Sequence, residues 1–202
     1  MNKMTYHEAI SQAWELLRAI GKSGAAEIEF LGRVFRVDFE RSAVSNLAGG
    51  APAKEWHQVL ILHYLAREKP VALPEKIEWM SFKELDSGLF YYPSFAERSI
   101  DLLARRFCSS PAVAWENAPA SLRRRLGMSD FGFSLRVFPK IFVAVLFWKG
   151  DGEVRPQYDL LFNREISRIF PTEDVVVLAH GVVETLVHPG DHPAAKEPGS
   201  KL

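Results

Sequence analysis

The stretch EWMSFKELDSGLFYYPSFAER, Glu78 to Arg98, sets six aromatic rings among acids, a lysine and an arginine. Aromatic side chains give a large contact area with few rotatable bonds, and tyrosine adds a hydroxyl. Trp79, Tyr91 and Tyr92, with Glu84 and Arg98 to orient polar groups, are the residue types that would line a pocket for a planar or apolar cofactor. Phe82, Phe90 and Phe95 have no polar handle and read as core.

Other reactive side chains are scattered. His57 and His63 lie on one expected helix, but six residues of helix separate their directions by about 120°, so they cannot chelate one metal together. Both read as packed structural histidines, and no HExxH arrangement is present. A single axial role toward a haem or corrinoid needs no motif and stays open. His188, Asp191 and His192 sit among prolines and glycines, where metal capture would be adventitious. Cys108 follows Arg105 and Arg106, and nearby cations lower a thiol pKa. With no histidine close in sequence it reads instead as a small buried thiol at a helix end. Arg123, Arg124 and Arg125 form the basic run of the chain; such a run can hold phosphate or an acidic partner, and here it reads as a solvated helix face.

Acids cluster at Glu78, Glu84 and Asp86, and again at Asp151 and Glu153. A carboxylate pair can do acid–base work or hold a hard cation. Asp151 and Glu153 lie in a Gly-Asp-Gly turn that backbone geometry alone would select, and Glu173 and Asp174 suit a helix start. No Walker loop, GxGxxG or GxSxG occurs, so nucleotide and serine-hydrolase readings lack support.

The 202 residues suffice for one full domain. Lys and Arg (25) balance Asp and Glu (25), which removes the basic excess of a general nucleic-acid binder. One cysteine excludes an internal disulfide or a cysteine-rich cluster within the chain and suits a reducing cytoplasm. The longest apolar run, IFVAVLFW from Ile141 to Trp148, falls far short of the ~20 residues of a spanning helix. A soluble, cytoplasmic protein with no membrane and no nucleic-acid partner is therefore expected; a protein partner stays possible.

The elements that must position these side chains are marked by local chemistry. Thr5 and Glu8 have capping-box spacing, Ile10, Trp14 and Leu17 form a stripe, and Gly21 offers a stop. AEIEFLGRVFRVDF alternates with period two around Leu31-Gly32 and predicts a hairpin. A short strand follows, and then KEWHQVLILHYLAREK, a helix apolar on most sides and so central. IEWMSF predicts a strand; Ser81 with Glu84 begins a turn, and Ser94 with Glu97 is expected to cap a helix carrying Phe95, Leu102, Leu103 and Phe107. Residues 109–130, SLRRRLG included, suggest short helices. FGFSLRVF, KIFVAVLFWKG and QYDLLF then read as strands, the second covered on both faces, before a final helix from Pro171 and Thr172. The sum is a single α+β domain over 1–187, a mainly antiparallel sheet packed with several helices, and a disordered tail over 188–202.

WMSFKELDSGLFYYPSFAER, FPKIFVAVLFWKGDGE, LLF and FPTEDVVVL, in that order up to about Val187, resemble the bacterial and archaeal domain-of-unknown-function family 3786. The resemblance implies soluble proteins of anaerobes, some of which carry a preceding cysteine-rich iron–sulfur segment of the type seen in corrinoid proteins. The present sequence has no such segment, and it has Gly152 and Asn163 where an acid and an aspartate are usual, which weakens a metal site there. The expectation for function is a small-molecule or cofactor-binding module, or an accessory protein of anaerobic metabolism. The alternatives are an enzyme using carboxylate and tyrosine acid–base chemistry, with Glu84, Tyr92 or His63, and a protein–protein adaptor. No reaction, ligand or cofactor is named by the residues.

Overall fold

A computed structural model describes residues 5–69, 75–151 and 153–189. Helix α1, Tyr6–Ala19, begins with the reciprocal cap its sequence predicts: the Glu8 amide donates to Thr5 Oγ1 at 3.3 Å, and the Thr5 amide donates to Glu8 Oε2 at 2.8 Å. Strands β1, Ala25–Phe30, and β2, Arg33–Asp38, pair antiparallel through a turn at Leu31 (φ 50°) and Gly32 (φ 75°). Two positive φ angles match the strands' right-handed twist, as two-residue hairpins require. Strand β3, Ala43–Asn46, completes a three-stranded sheet in the order β1-β2-β3.

Helix α2, Glu55–Arg67, buries His57, Val59, Leu60, Ile61, Leu62, Tyr64 and Leu65, a nearly all-round apolar surface that explains its central place. Strand β4, Trp79–Ser81, leads into a 3-10 turn, Phe82–Glu84, and then helices α3, Gly88–Arg98, α4, Ile100–Phe107, and α5, Pro111–Asn117. The second sheet adds β5, Arg123–Leu126, β6, Phe131–Phe138, β7, Ile141–Trp148, and β8, Gln157–Asn163. Its order is β4-β8-β7-β6-β5, with antiparallel neighbours throughout. A short α6, Ile166–Ile169, precedes α7, Thr172–Val187. The architecture is α+β.

β7 lies at the centre of the five-stranded sheet, and its residues from Val143 to Phe147 are buried on both faces, as an unbroken apolar run demands. The two sheets are joined where the Leu31 amide donates to Val137 O at 2.9 Å and Arg136 pairs with Glu29 at 2.8 Å. Phe138, beside a register shift in β6, stacks between Phe30 at 4.4 Å and Tyr64 at 4.5 Å, so one ring ties both sheets to α2. Burial holds the Tyr64 phenol up at about 12. Among the described residues no helix is long and apolar enough to cross a membrane.

Three local expectations are corrected. The helix expected from Ser94 begins earlier, at Gly88, so Ser94 is interior; the helical run then breaks at Ser99, whose hydroxyl donates to Phe95 O at 2.6 Å. Such back-bonding offers the backbone an alternative to helix continuation. SLRRRLG is not helical: Arg123–Leu126 is the edge strand β5, paired with β6 as Arg123↔Leu135 through Leu126↔Gly132. The guanidinium of Arg123 lies 4.4 Å from the Trp115 ring and that of Arg125 lies 3.7 Å from Phe131, so the arginine stems cover aromatic surface while their charges guard an open edge. Cys108 is exposed rather than buried, at φ 44° just beyond α4. Of the expected tail, residues 190–202 lie outside the described residues, and with them Asp191 and His192; Gly152 lies outside them as well.

Candidate functional site

The aromatic stretch divides by position. Phe82 and Phe95 are core: they stack at 4.1 Å with planes 6° apart, and both pack against Phe162 of β8. Phe90 is not core; three-quarters of it is exposed (75%), as is most of its neighbour Leu89 (73%). The helix phase decides this. Ser87 adopts a left-handed conformation, and Gly88 sits so close to the preceding turn that a Cβ there would meet the Phe82 carbonyl oxygen at 2.2 Å. That fixed entry drives Phe95 inward and leaves Leu89 and Phe90 outside.

Trp79 is half-buried on β4 opposite Asn163. Glu84 is exposed; its carboxylate accepts from the Ser81 amide at 2.7 Å, a cap, and lies 3.9 Å from Arg164. The Tyr92 ring faces Lys83 Nζ at 4.2 Å and leans on Phe95. Arg98 is exposed, and its backbone carbonyl accepts from His180 Nδ1 at 3.1 Å.

Tyr91 is placed differently. Its hydroxyl donates to Glu173 Oε1 at 2.5 Å, across to the first turn of α7, and this bond holds the phenol above its ordinary value. A groove of about 640 Å³ opens here. Its walls come from three places: Arg67 at the end of α2; Leu85 to Ser87 with Phe90 and Tyr91; and Ser167 through Glu173. The floor is held by Thr172 Oγ1 donating to the Asp86 carbonyl and by Arg67 Nη1 reaching Ile169 O at 3.4 Å. Arg67, Arg168, Asp86 and Glu173 supply charge of both signs, and Phe90, Ile169 and Phe170 supply apolar surface. Trp79, Glu84, Tyr92 and Arg98 do not line this groove. Arg67, Arg168 and Phe170 carried no signal in the sequence, and Glu173 was hidden by its suitability as a helix-start residue.

The family described as Domain of unknown function (DUF3786) matches residues 10–185. The chain belongs to that family. No curated protein and no solved structure matches it. The DUF3786 region takes in the whole groove and both sheets. It also takes in Asn163, which the resemblance sets against an aspartate. Asn163 is fully buried: its Oδ1 accepts from the Phe142 amide at 2.8 Å, while its Nδ2 donates to Lys140 O at 2.8 Å and Glu165 Oε2 at 2.7 Å. Three of the amide's four hydrogen-bonding directions are spent on joining the end of β8 to β7, to the β6–β7 turn and to Glu165, and the two donated bonds are ones an ionised carboxylate could not make. Among the described residues no group of three or more His, Cys, Asp or Glu could hold a metal ion.

The histidines of α2 are occupied. His57 is buried against the rings of Phe30 at 5.5 Å, Phe35 at 5.3 Å and Trp56 at 3.9 Å. His63 Nδ1 lies 2.5 Å from Asp174 Oδ2, tying α2 to the start of α7. A carboxyl outside the groove is also perturbed: burial raises the Asp159 pKa, against smaller lowering effects from the Leu160 amide and Lys83.

Proposed function

We propose that the chain is a small-molecule or cofactor-binding module, accessory to anaerobic metabolism as the family resemblance implies, with its ligand in the groove between the start of α3 and the start of α7. The observation that carries this reading is the conjunction of a groove of about 640 Å³ with an exposed phenylalanine, a tyrosine donor and two arginines on its walls. That volume lies within the ~300–1,000 Å³ of small-molecule sites, and a mostly apolar wall with a few placed polar groups is their usual chemistry. A ligand with a planar or apolar body against Phe90 and an anionic group toward Arg67 or Arg168 fits best. Of the side chains singled out from sequence, Tyr91 belongs to this site. Trp79, Tyr92, Glu84 and Arg98 stand outside it, and of these Tyr92 on Phe95 and the Glu84 cap stabilise the entry to α3.

An acid–base enzyme is the weaker reading. Tyr91, held protonated by Glu173, is a donor rather than a base, and Asp159, a half-buried carboxyl with a raised pKa, lines neither this groove nor the smaller cavity described below. The adjacent exposure of Leu89 and Phe90 favours, as a second reading, a protein–protein adaptor using that patch.

Native mass spectrometry of protein purified without oxygen, set against its denatured mass, tests the proposal. The expected result is a stoichiometric non-covalent mass excess in the wild type that disappears in Phe90→Ala. An excess that survives Phe90→Ala would place the ligand elsewhere. A clean mass in both would overturn the ligand reading and leave the adaptor.

A further inference from the structure

A second, smaller cavity of about 150 Å³ shares no lining residue with the groove and is walled by the turn end of the β1–β2 hairpin, the start of α2 and the last turns of α7. Its charged lining is Arg33, Lys54 and Glu184 with His57, His180 and His188, and its Thr185 hydroxyl is spent on the Gly181 carbonyl at 2.9 Å. The acid is already engaged, since Glu184 Oε2 lies 3.6 Å from His188 Nε2. Among the described residues neither Arg33 nor Lys54 has a carboxylate partner. Arg33 Nε is buried and has no hydrogen-bond acceptor. A buried charged donor without an acceptor is unfavourable and uncommon in native proteins. The start of α2 adds to the imbalance, because its N-cap is Lys54, which supplies a cation where an oxygen would normally cap the first-turn amides.

From this we infer that the cavity is a site for a small oxyanion, a phosphate or carboxylate group, held by the Arg33 guanidinium with Lys54 at the rim. The guanidinium presents planar, paired donors that match the oxygens of either group, and its Nε lacks an acceptor in the folded chain. The volume admits the ligand: a water takes ~30 Å³, so a cavity of about 150 Å³ has room for a group of a few heavy atoms such as phosphate or acetate. This site is separate from the groove of the proposed function and stands or falls without it.

Calorimetric titration of the full chain in low-salt buffer, with inorganic phosphate and separately with acetate, is the test. Saturable one-site binding of at least one of these is expected, and the tighter of the two tells whether the oxyanion is a phosphate or a carboxylate. Arg33→Gln should weaken it by about tenfold or more, the loss of a hydrogen bond to a charged group. Lys54→Gln, at an exposed position where folding is not at risk, should weaken it several-fold. Arg33 does not line the groove, so weakened binding in Arg33→Gln assigns the anion to this cavity and not to Arg67 or Arg168. The inference is overturned if neither anion gives saturable heat, or if Arg33→Gln folds and binds as tightly as the wild type. Should Arg33→Gln fail to fold, undiminished binding by Lys54→Gln overturns it.

Discussion

Truncating Phe82 and Phe90 separately should divide the aromatic stretch into core and surface. Phe82 is 1% exposed and stacks on Phe95 at 4.1 Å, while Phe90, in the same stretch, is 75% exposed. A buried phenylalanine cut to alanine forfeits its transfer energy and leaves a cavity, at a cost of about 3–5 kcal/mol. For a chain of this length each kcal/mol moves Tm by about 2–4 °C, so Phe82→Ala should melt about 6–20 °C below the wild type. That is a large share of the ~5–15 kcal/mol that holds a domain together. Phe90→Ala removes a side chain that is already in water and should stay within about 0.5 kcal/mol of the wild type. Urea denaturation followed by tryptophan fluorescence, with matching thermal scans, reads both. Equal destabilisation by the two variants would refute the reasoning, because it would mean that the Leu89–Phe90 face is packed in the native protein.

Gly88→Ala should cost about 2 kcal/mol or more, since its Cβ would meet the Phe82 carbonyl oxygen at 2.2 Å and backbone must move to admit it; a urea midpoint unchanged from wild type would show that the entry to α3 is not fixed. Asp159→Asn should stabilise the protein at neutral pH and have no effect in acid. The Asp159 pKa is raised by burial above its ordinary 3.8, so the folded state binds the extra proton and stability falls as pH rises through the window between 3.8 and the folded value. Asparagine retains an oxygen to accept from the Leu160 amide and removes the half-buried charge. Urea midpoints at pH 7 and pH 3 check this, and a variant less stable at pH 7 would contradict it.

The legible parts of this fold are those whose cause is local. The Thr5–Glu8 and Ser81–Glu84 caps, the Leu31-Gly32 turn and the two-faced burial of β7 each follow from a few adjacent side chains. The illegible parts are decided at a distance. Arg123–Leu126 has no alternation to mark it as a strand, and it is one because β6 offers an edge and because Trp115 and Phe131 offer faces for its arginines. Phenylalanine at position 90 suggests burial by composition, yet the Ser87–Gly88 entry sets a helix phase that turns it outward. Glu173 and Asp174 would suit a helix start whether or not they had partners, and their partners, Tyr91 and His63, lie 82 and 111 residues away. The groove inherits this property. Its walls come from the end of α2, the start of α3 and the entry to α7, so no single segment carries its signature, and a sequence search confined to the aromatic stretch could reach only the wall that Phe90 and Tyr91 supply.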